Sequence, residues 1–311
     1  MVTTRSMGEN QVQQDRGKAQ DKCEQEDGLR KYRGNCHCGA FVYEVKVPTI
    51  DSVYQCDCSI CHRKGYLWLI LDDGTKIDIV RGTSDTLTLY TFGPKKTGHK
   101  FCPKCATPVM GELGAEQALN VRAIQGIDLS TLERVPYDGA SLGKPYVKPK
   151  HKGPLPAPID GQKLYTGSCH CGAVTLALMS KPLDETFDGL TAECDCSSCQ
   201  RNAYRWIYPN KEQVVLHASN PSNIGRYSFA HYIVDKTFCK ICGVAMTNQC
   251  NDLTEEERQA RGALSAEGLP DGFRAQHPVN LRVLHDVDFV TMKPPTMKNG
   301  ADAILPRYNN P

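Results

Sequence analysis

No stretch of this 311-residue chain approaches the ~18 uninterrupted apolar residues of a membrane-spanning helix, so a bilayer span is not expected. The first residues also lack the apolar core of a secretory signal, which argues against export. Charge bias is missing as well. The formal balance is +2, with no basic tract interleaved with aromatics, and this leaves little electrostatic footprint for nucleic acid or anionic lipid. Residues 1–29 are short of periodic apolar positions and rich in Gln, Asp, Glu, Lys and Arg, so they read as a disordered tail in which Cys23 is a free, exposed thiol. What is present is enough apolar content, 40%, for about two ordinary cores, together with sixteen cysteines.

Those cysteines cluster at metal-ligand spacings. A chain of this size needs no disulfide staples, so the pattern implies metal binding in a reducing compartment, the cytoplasm or else the nucleus. Cys56-Asp57-Cys58-Ser59-Ile60-Cys61 packs three thiols into six residues and recurs as Cys194-Asp195-Cys196-Ser197-Ser198-Cys199. Around it, Gly34-Asn35-Cys36-His37-Cys38-Gly39-Ala40 recurs as Gly167-Ser168-Cys169-His170-Cys171-Gly172-Ala173. Phe101-Cys102-Pro103-Lys104-Cys105 returns as Phe238-Cys239-Lys240-Ile241-Cys242, and Asn120-Val121-Arg122 returns as Asn280-Leu281-Arg282. Four matched blocks in one order mean two tandem copies of one unit. We place them at 30–142 and 163–308, joined by a proline-dense, extended linker over 143–162.

Within each copy the apolar runs are short and strand-like, as in Phe41–Val45 and Val174–Leu178, bounded by Gly, Pro, Asp and Asn. A mainly β fold of small sheets around metal follows. The exception is an insertion in the second copy near 251–278, where Thr254 to Glu257 has capping-box spacing and opens a helical run to about Leu264.

Seven thiols per copy cannot pair off as disulfides, but they divide into four plus three. We expect a closed structural Zn²⁺ site at Cys36, Cys38, Cys102 and Cys105, and at Cys169, Cys171, Cys239 and Cys242. The triple-cysteine loops, Cys56, Cys58 and Cys61 and then Cys194, Cys196 and Cys199, would each hold a second ion with one position open, making four Zn²⁺ per chain. Spacing alone does not force that partition; knuckle turns that aim backbone amides at the sulfurs favour it. Losing Cys102 or Cys239 should then unfold its own domain.

These motifs resemble those of the glutathione-dependent formaldehyde-activating enzyme family, whose domain is shared with centromere protein V. The resemblance covers nearly all of 32–141 and 163–293. It implies two tandem Mss4-like β-tent domains, a structural zinc at the paired cysteines, and a second zinc on the triple-cysteine loop. There the glutathione sulfur would enter, and the carbon–sulfur bond of S-hydroxymethylglutathione would be made or broken. Two departures stand out, Ala106 where the knuckle has Gly, and Ala203 matching Gly65.

The chemistry can also be argued from the residues. Zn²⁺ with three thiolates carries a net negative charge, so it acidifies water weakly and favours exchange with an incoming thiol over hydrolysis. The partners expected are a small thiol such as glutathione and an aldehyde. Arg63 and Arg201 sit next to the loops in sequence and would offset the charge; Arg122 and Arg282 would clamp a substrate carboxylate. His37 and His170 are expected to point away from the metal, Asp128 and Asp288 to be turn residues, and Cys250 to be a free thiol. The alternative from another class is a non-catalytic, zinc-stabilised protein-interaction module. Thiol redox exchange is disfavoured, because the C-x-x-C pairs lack a thioredoxin-like βαβ context.

Overall fold

A computed structural model describes residues 28–262, 272–304 and 307–311. The expected tail over 1–27, Cys23, and the insertion over 263–271 lie outside the described residues. No helix among the described residues is long and apolar enough to cross a membrane.

The fold is mainly β, and its two halves repeat strand for strand. In the first half, Arg30–Asn35, Val42–Val47 and Ile77–Arg81 form a three-stranded sheet. Lys163–Ser168, Thr175–Ser180 and Val214–His217 form its counterpart. Val, Tyr, Leu and Thr fill these strands, as suits residues whose branched or aromatic side chains pack on a pleated surface. Each half adds a seven-stranded sheet among the described residues. The first runs in the order Glu133–Tyr137, Ser52–Cys56, Trp68–Ile70, Glu116–Asn120, Pro108–Leu113, Thr97–Phe101, Thr88–Thr91. The second matches it from Thr296–Lys298 and Thr191–Cys194 across to Ile224–Tyr227. In both, the last strand in sequence pairs in parallel with the strand that carries the first cysteine of the triple set.

The triple-cysteine segments are not loops throughout. Each turns from its strand into a short helix, α1 (Ser59–Lys64) and α2 (Ser197–Asn202), with Cys58 and Cys196 at the N-cap positions. The helices end on left-handed residues, Gly65 at φ 58° and Ala203 at φ 50°. Spacing did not announce these helices, because six residues are too few for a helical period to register. In the insertion, Thr254 does form the capping box, but helix α3 covers only Glu255–Ala260. A last helix, α4 (Gly300–Ala303), follows the strand Thr296–Lys298.

The cores do not respect the halves. Tyr90 and Phe101 of the first copy pack with Val174, Cys239, Cys242 and Val244 of the second. Tyr227 and Phe238 of the second pack with Phe41, Cys102, Cys105 and Val109 of the first. Two chain segments also cross over. Tyr146, in the stretch between the copies, stacks on His170 with ring centroids 4.6 Å apart and donates its hydroxyl to the His170 carbonyl at 2.6 Å. Tyr308 does the same to His37, at 4.5 Å and 2.6 Å. The segment 143–162 is thus a packed strap as well as a connector, and the C-terminal residues are its counterpart.

Candidate metal centres

Among the described residues, four groups of thiols stand close enough to hold ions. Cys36 and Cys38 lie on the turn after the first strand, Cys102 and Cys105 on the turn after Thr97–Phe101, and their four sulfurs lie within 4.8 Å of one another. Cys38 Sγ is 3.6 Å from both Cys36 Sγ and Cys102 Sγ. Cys169, Cys171, Cys239 and Cys242 repeat this arrangement, with the same 3.6 Å spacings about Cys171. Four sulfurs at ~2.3 Å from a central zinc would be ~3.8 Å apart, so the donor set suits that ion. Amide-to-sulfur bonds occur on the C-x-C turns: Phe41 N–H donates to Cys36 Sγ at 3.3 Å, and Val174 N–H to Cys169 Sγ at 3.2 Å.

The knuckle positions differ between copies for a steric reason. A Cβ on Gly243, at φ +68°, would lie 2.5 Å from Phe101 Cγ and 2.7 Å from Lys64 Nζ, both across the repeat boundary. Ala106 keeps the same left-handed backbone, φ 60°. There the residue matching Lys64 is Asn202, whose amide turns back onto the Ser198 carbonyl at 3.1 Å. We expect Gly243→Ala to cost about 2–4 kcal/mol, from left-handed strain and overpacking together. The reverse change, Ala106→Gly, should stay within about 1 kcal/mol of the parent. Urea unfolding of the two variants checks both.

The triple sets are equally compact. Cys56, Cys58 and Cys61 lie within 4.8 Å of one another, as do Cys194, Cys196 and Cys199. Cys56 Sγ accepts from the Cys58 amide at 3.5 Å and Cys61 Sγ from Trp68 Nε1 at 3.3 Å. Hydrogen bonds from the Cys56 and Cys61 thiols, with the amides of Cys61 and Ile60, hold Cys58 well below the usual thiol range. In the second copy the group held low is Cys199, by the Cys194 and Cys196 thiols and then by Lys236. Lys236 was not singled out from the sequence. Its Nζ lies 3.8 Å from Cys199 Sγ, over the rings of Tyr204 and Trp206. A mismatch between the copies was the available signal, since His99 occupies the matching position.

The four-sulfur group of one copy is wired to the three-sulfur group of the other. His37 hydrogen-bonds Tyr227 Oη at 2.7 Å through Nδ1 and Ser197 Oγ at 2.9 Å through Nε2. His170 bonds Tyr90 Oη at 2.7 Å and Ser59 Oγ at 2.9 Å in the same way. Both ring nitrogens are engaged away from the thiols, and burial lowers the two imidazoles to about 3 and about 4, which keeps them neutral. Asp128 and Asp288 are turn residues: Asp128 accepts from Ser130 N–H and Asp288 from Val290 N–H.

The arginines reach across the boundary too. Arg63 is buried, donates to the carbonyls of Ser168 and Ser59, and lies over the Tyr146 ring. Arg201 donates to Asn35, Ser197 and Asn310 and lies over Tyr308. Their nearest hydrogen-bond partners are therefore carbonyl and amide oxygens, not the sulfurs beside them in sequence. Arg122 Nε donates to the Gly65 carbonyl at 2.6 Å and Nη1 to the Gln200 carbonyl at 3.3 Å. Arg282 mirrors it on Ala203 at 2.7 Å and His62 at 3.1 Å. Each fork thus clamps the C-terminal ends of both helices, where exposed carbonyls attract cations. Arg122, Arg201, Cys38 and Cys196 line one cleft of ≈ 830 Å³ between the copies, together with Tyr227 and Tyr308. Cys250 ends the strand Ala245–Cys250 as a free, half-buried thiol.

A family model described as "Glutathione-dependent formaldehyde-activating enzyme" matches residues 31–136 and again 164–277. A crystal structure of a Rhodobacter sphaeroides protein matches at 32% identity over 33% of this chain and 97% of that one, with a TM-score of 0.31.

Proposed function

Because the chain belongs to the glutathione-dependent formaldehyde-activating enzyme family, we propose that it is a zinc-dependent carbon–sulfur lyase acting on an S-(hydroxymethyl)glutathione-like adduct. The observation that carries this reading is a compact three-thiol set, one member of which, Cys196, lines a cleft that Arg122 and Arg201 also line. Zn²⁺ held by three of the chain's thiolates would supply Lewis acidity to an incoming thiol. Cys56, Cys58 and Cys61, and likewise Cys194, Cys196 and Cys199, would hold that ion, while the four-sulfur sets would hold structural zinc, four ions in all.

In the synthetic direction the thiol sulfur attacks the aldehyde carbon, one carbon–sulfur bond forms, and the thiol proton ends on the former carbonyl oxygen. The lyase direction reverses each change. Binding and orientation fall to the cleft. Arg122, whose fork is held on the Gly65 and Gln200 carbonyls, brings one cation to the cleft. Arg201 presents a second cation. A volume of ≈ 830 Å³ is in the range that takes a tripeptide thiol.

The test separates stability from turnover. The double variant Cys58→Ser/Cys196→Ser should melt within a few degrees of the parent, because the four-sulfur sets still join their distant segments. It should lose glutathione-dependent formaldehyde turnover by at least about 10³-fold, the scale of losing an activated nucleophile. Persisting turnover with parent-like melting would remove the catalytic reading.

A further inference from the structure

The two three-sulfur sites are surrounded by different charges. Behind Cys199 stands the buried ammonium of Lys236. At the matching place in the first copy is His99, buried against Tyr66 and Trp68, with no partner for its Nδ1 and with burial lowering it to about 4. The first copy's own lysine, Lys64, donates to the Cys242 carbonyl at 3.2 Å, so its charge is shared between the second copy's Cys242 and Cys239 and the first copy's Cys61. The walls differ in the same sense. The cleft at Cys196 is lined by Lys104 from the first copy's knuckle. Its counterpart on the second copy's knuckle is Ile241, 44% exposed. Where the cleft has Gly126, the other repeat has Asp286, ion-paired with Lys148 at 2.5 Å.

We propose that the two sites have diverged: an anionic thiol binds at Cys196, in a composite cleft to which the first copy contributes Lys104 and Arg122, and not at Cys58. This rests on the reading of the triple-cysteine sets as thiol-accepting sites. Three thiolates on a divalent ion leave one negative charge, and a fourth thiolate doubles it. Lys236, 3.8 Å from Cys199 Sγ, offsets that charge at the second site, whereas at the first the buried cation, Lys64, is hydrogen-bonded to the second copy's Cys242 carbonyl and shared with that copy's thiols. Lys104 then faces the carboxylates that a peptide thiol such as glutathione carries, where Ile241 would leave them unpaired. Arg122 and Arg282, or Arg201 and Arg63, do not discriminate, because both copies have them. The first copy thus serves mainly as a wall of the second copy's site.

Glutathione binding to the full-length zinc-loaded protein, measured by titration calorimetry separately from turnover, tests this. One equivalent per chain is expected. Cys196→Ser should abolish it. Lys236→Met should weaken it about tenfold or more, with Lys236→Arg restoring part of the loss. Lys104 is exposed, so Lys104→Ile should fold normally and still weaken binding several-fold. The paired change His99→Lys/Ile241→Lys should bring in a second equivalent. Two equivalents of equal affinity in the parent would overturn the proposal, as would binding that survives Cys196→Ser and disappears in Cys58→Ser. A parent that binds one equivalent at Cys196 but turns over no formaldehyde adduct leaves this assignment standing and removes the lyase reading. A parent that binds no glutathione removes both.

Discussion

Cys239→Ser is expected to leave the whole chain without a cooperative fold at 25 °C, and not the second copy alone. From the sequence, loss of a ligand from a four-sulfur set was expected to unfold its own domain. The packing changes that expectation. Cys239 and Cys242 sit in the same buried cluster as Ile60, Tyr66, Trp68 and Phe101 of the first copy. Lys64 donates to the Cys242 carbonyl, and Tyr90 reaches His170 between the paired cysteines. A structural zinc contributes about 10–16 kcal/mol to folding in small domains, against a total stability of about 5–15 kcal/mol for an ordinary domain. Neither half should then keep a folded partner to pack on. Calorimetry and far-ultraviolet circular dichroism should show no transition. A surviving transition with about half the parent enthalpy would show that the halves fold independently.

Gly65→Ala is expected to destabilise the protein by about 3 kcal/mol, and Ala203→Gly in the same chain to recover most of the loss. The two residues are equivalent in the repeat and end equivalent helices, both left-handed. A Cβ built on Gly65 would lie 2.3 Å from the Cβ of Ala203, closer than real Cβ atoms come. The helix ends therefore meet at the axis relating the copies, where there is room for one methyl group. Left-handed strain costs about 1–2 kcal/mol and overpacking about 1–3 kcal/mol; Ala203→Gly removes the overpacking and relieves an equal left-handed strain at 203. Moving the methyl from one copy to the other should be close to neutral, since one left-handed alanine replaces another. A double-mutant cycle in urea measures the coupling. Additive single effects, with no coupling beyond about 0.5 kcal/mol, would contradict this contact.

Some of this was legible in the residues. The repeat and the mainly β character followed from spacing, and the four-plus-three grouping was favoured, though not forced, because metal ligands must arrive in fixed numbers on short turns. The amide-to-sulfur bonds of the C-x-C turns and the capping box at Thr254 are local geometry, and local geometry is what a sequence motif encodes. The departures Ala106 and Ala203 could be noticed but not explained. Their reasons, the Asn202 that matches Lys64 and the methyl group facing Gly65, lie 96 and 138 positions away along the chain.

The sequence by itself determined that there are two such units and that their order repeats, and it favoured the grouping of cysteines that the sulfur positions then fixed. Only the tertiary structure decided that the units are interleaved: that Tyr146 and Tyr308 strap opposite copies, that Arg63 and Arg201 reach across the boundary, and that Lys236 stands behind Cys199. The physical reason is that ligand number and turn chemistry act between near neighbours in the chain. Burial and charge compensation act through space, and they depend on which surfaces of the two copies meet.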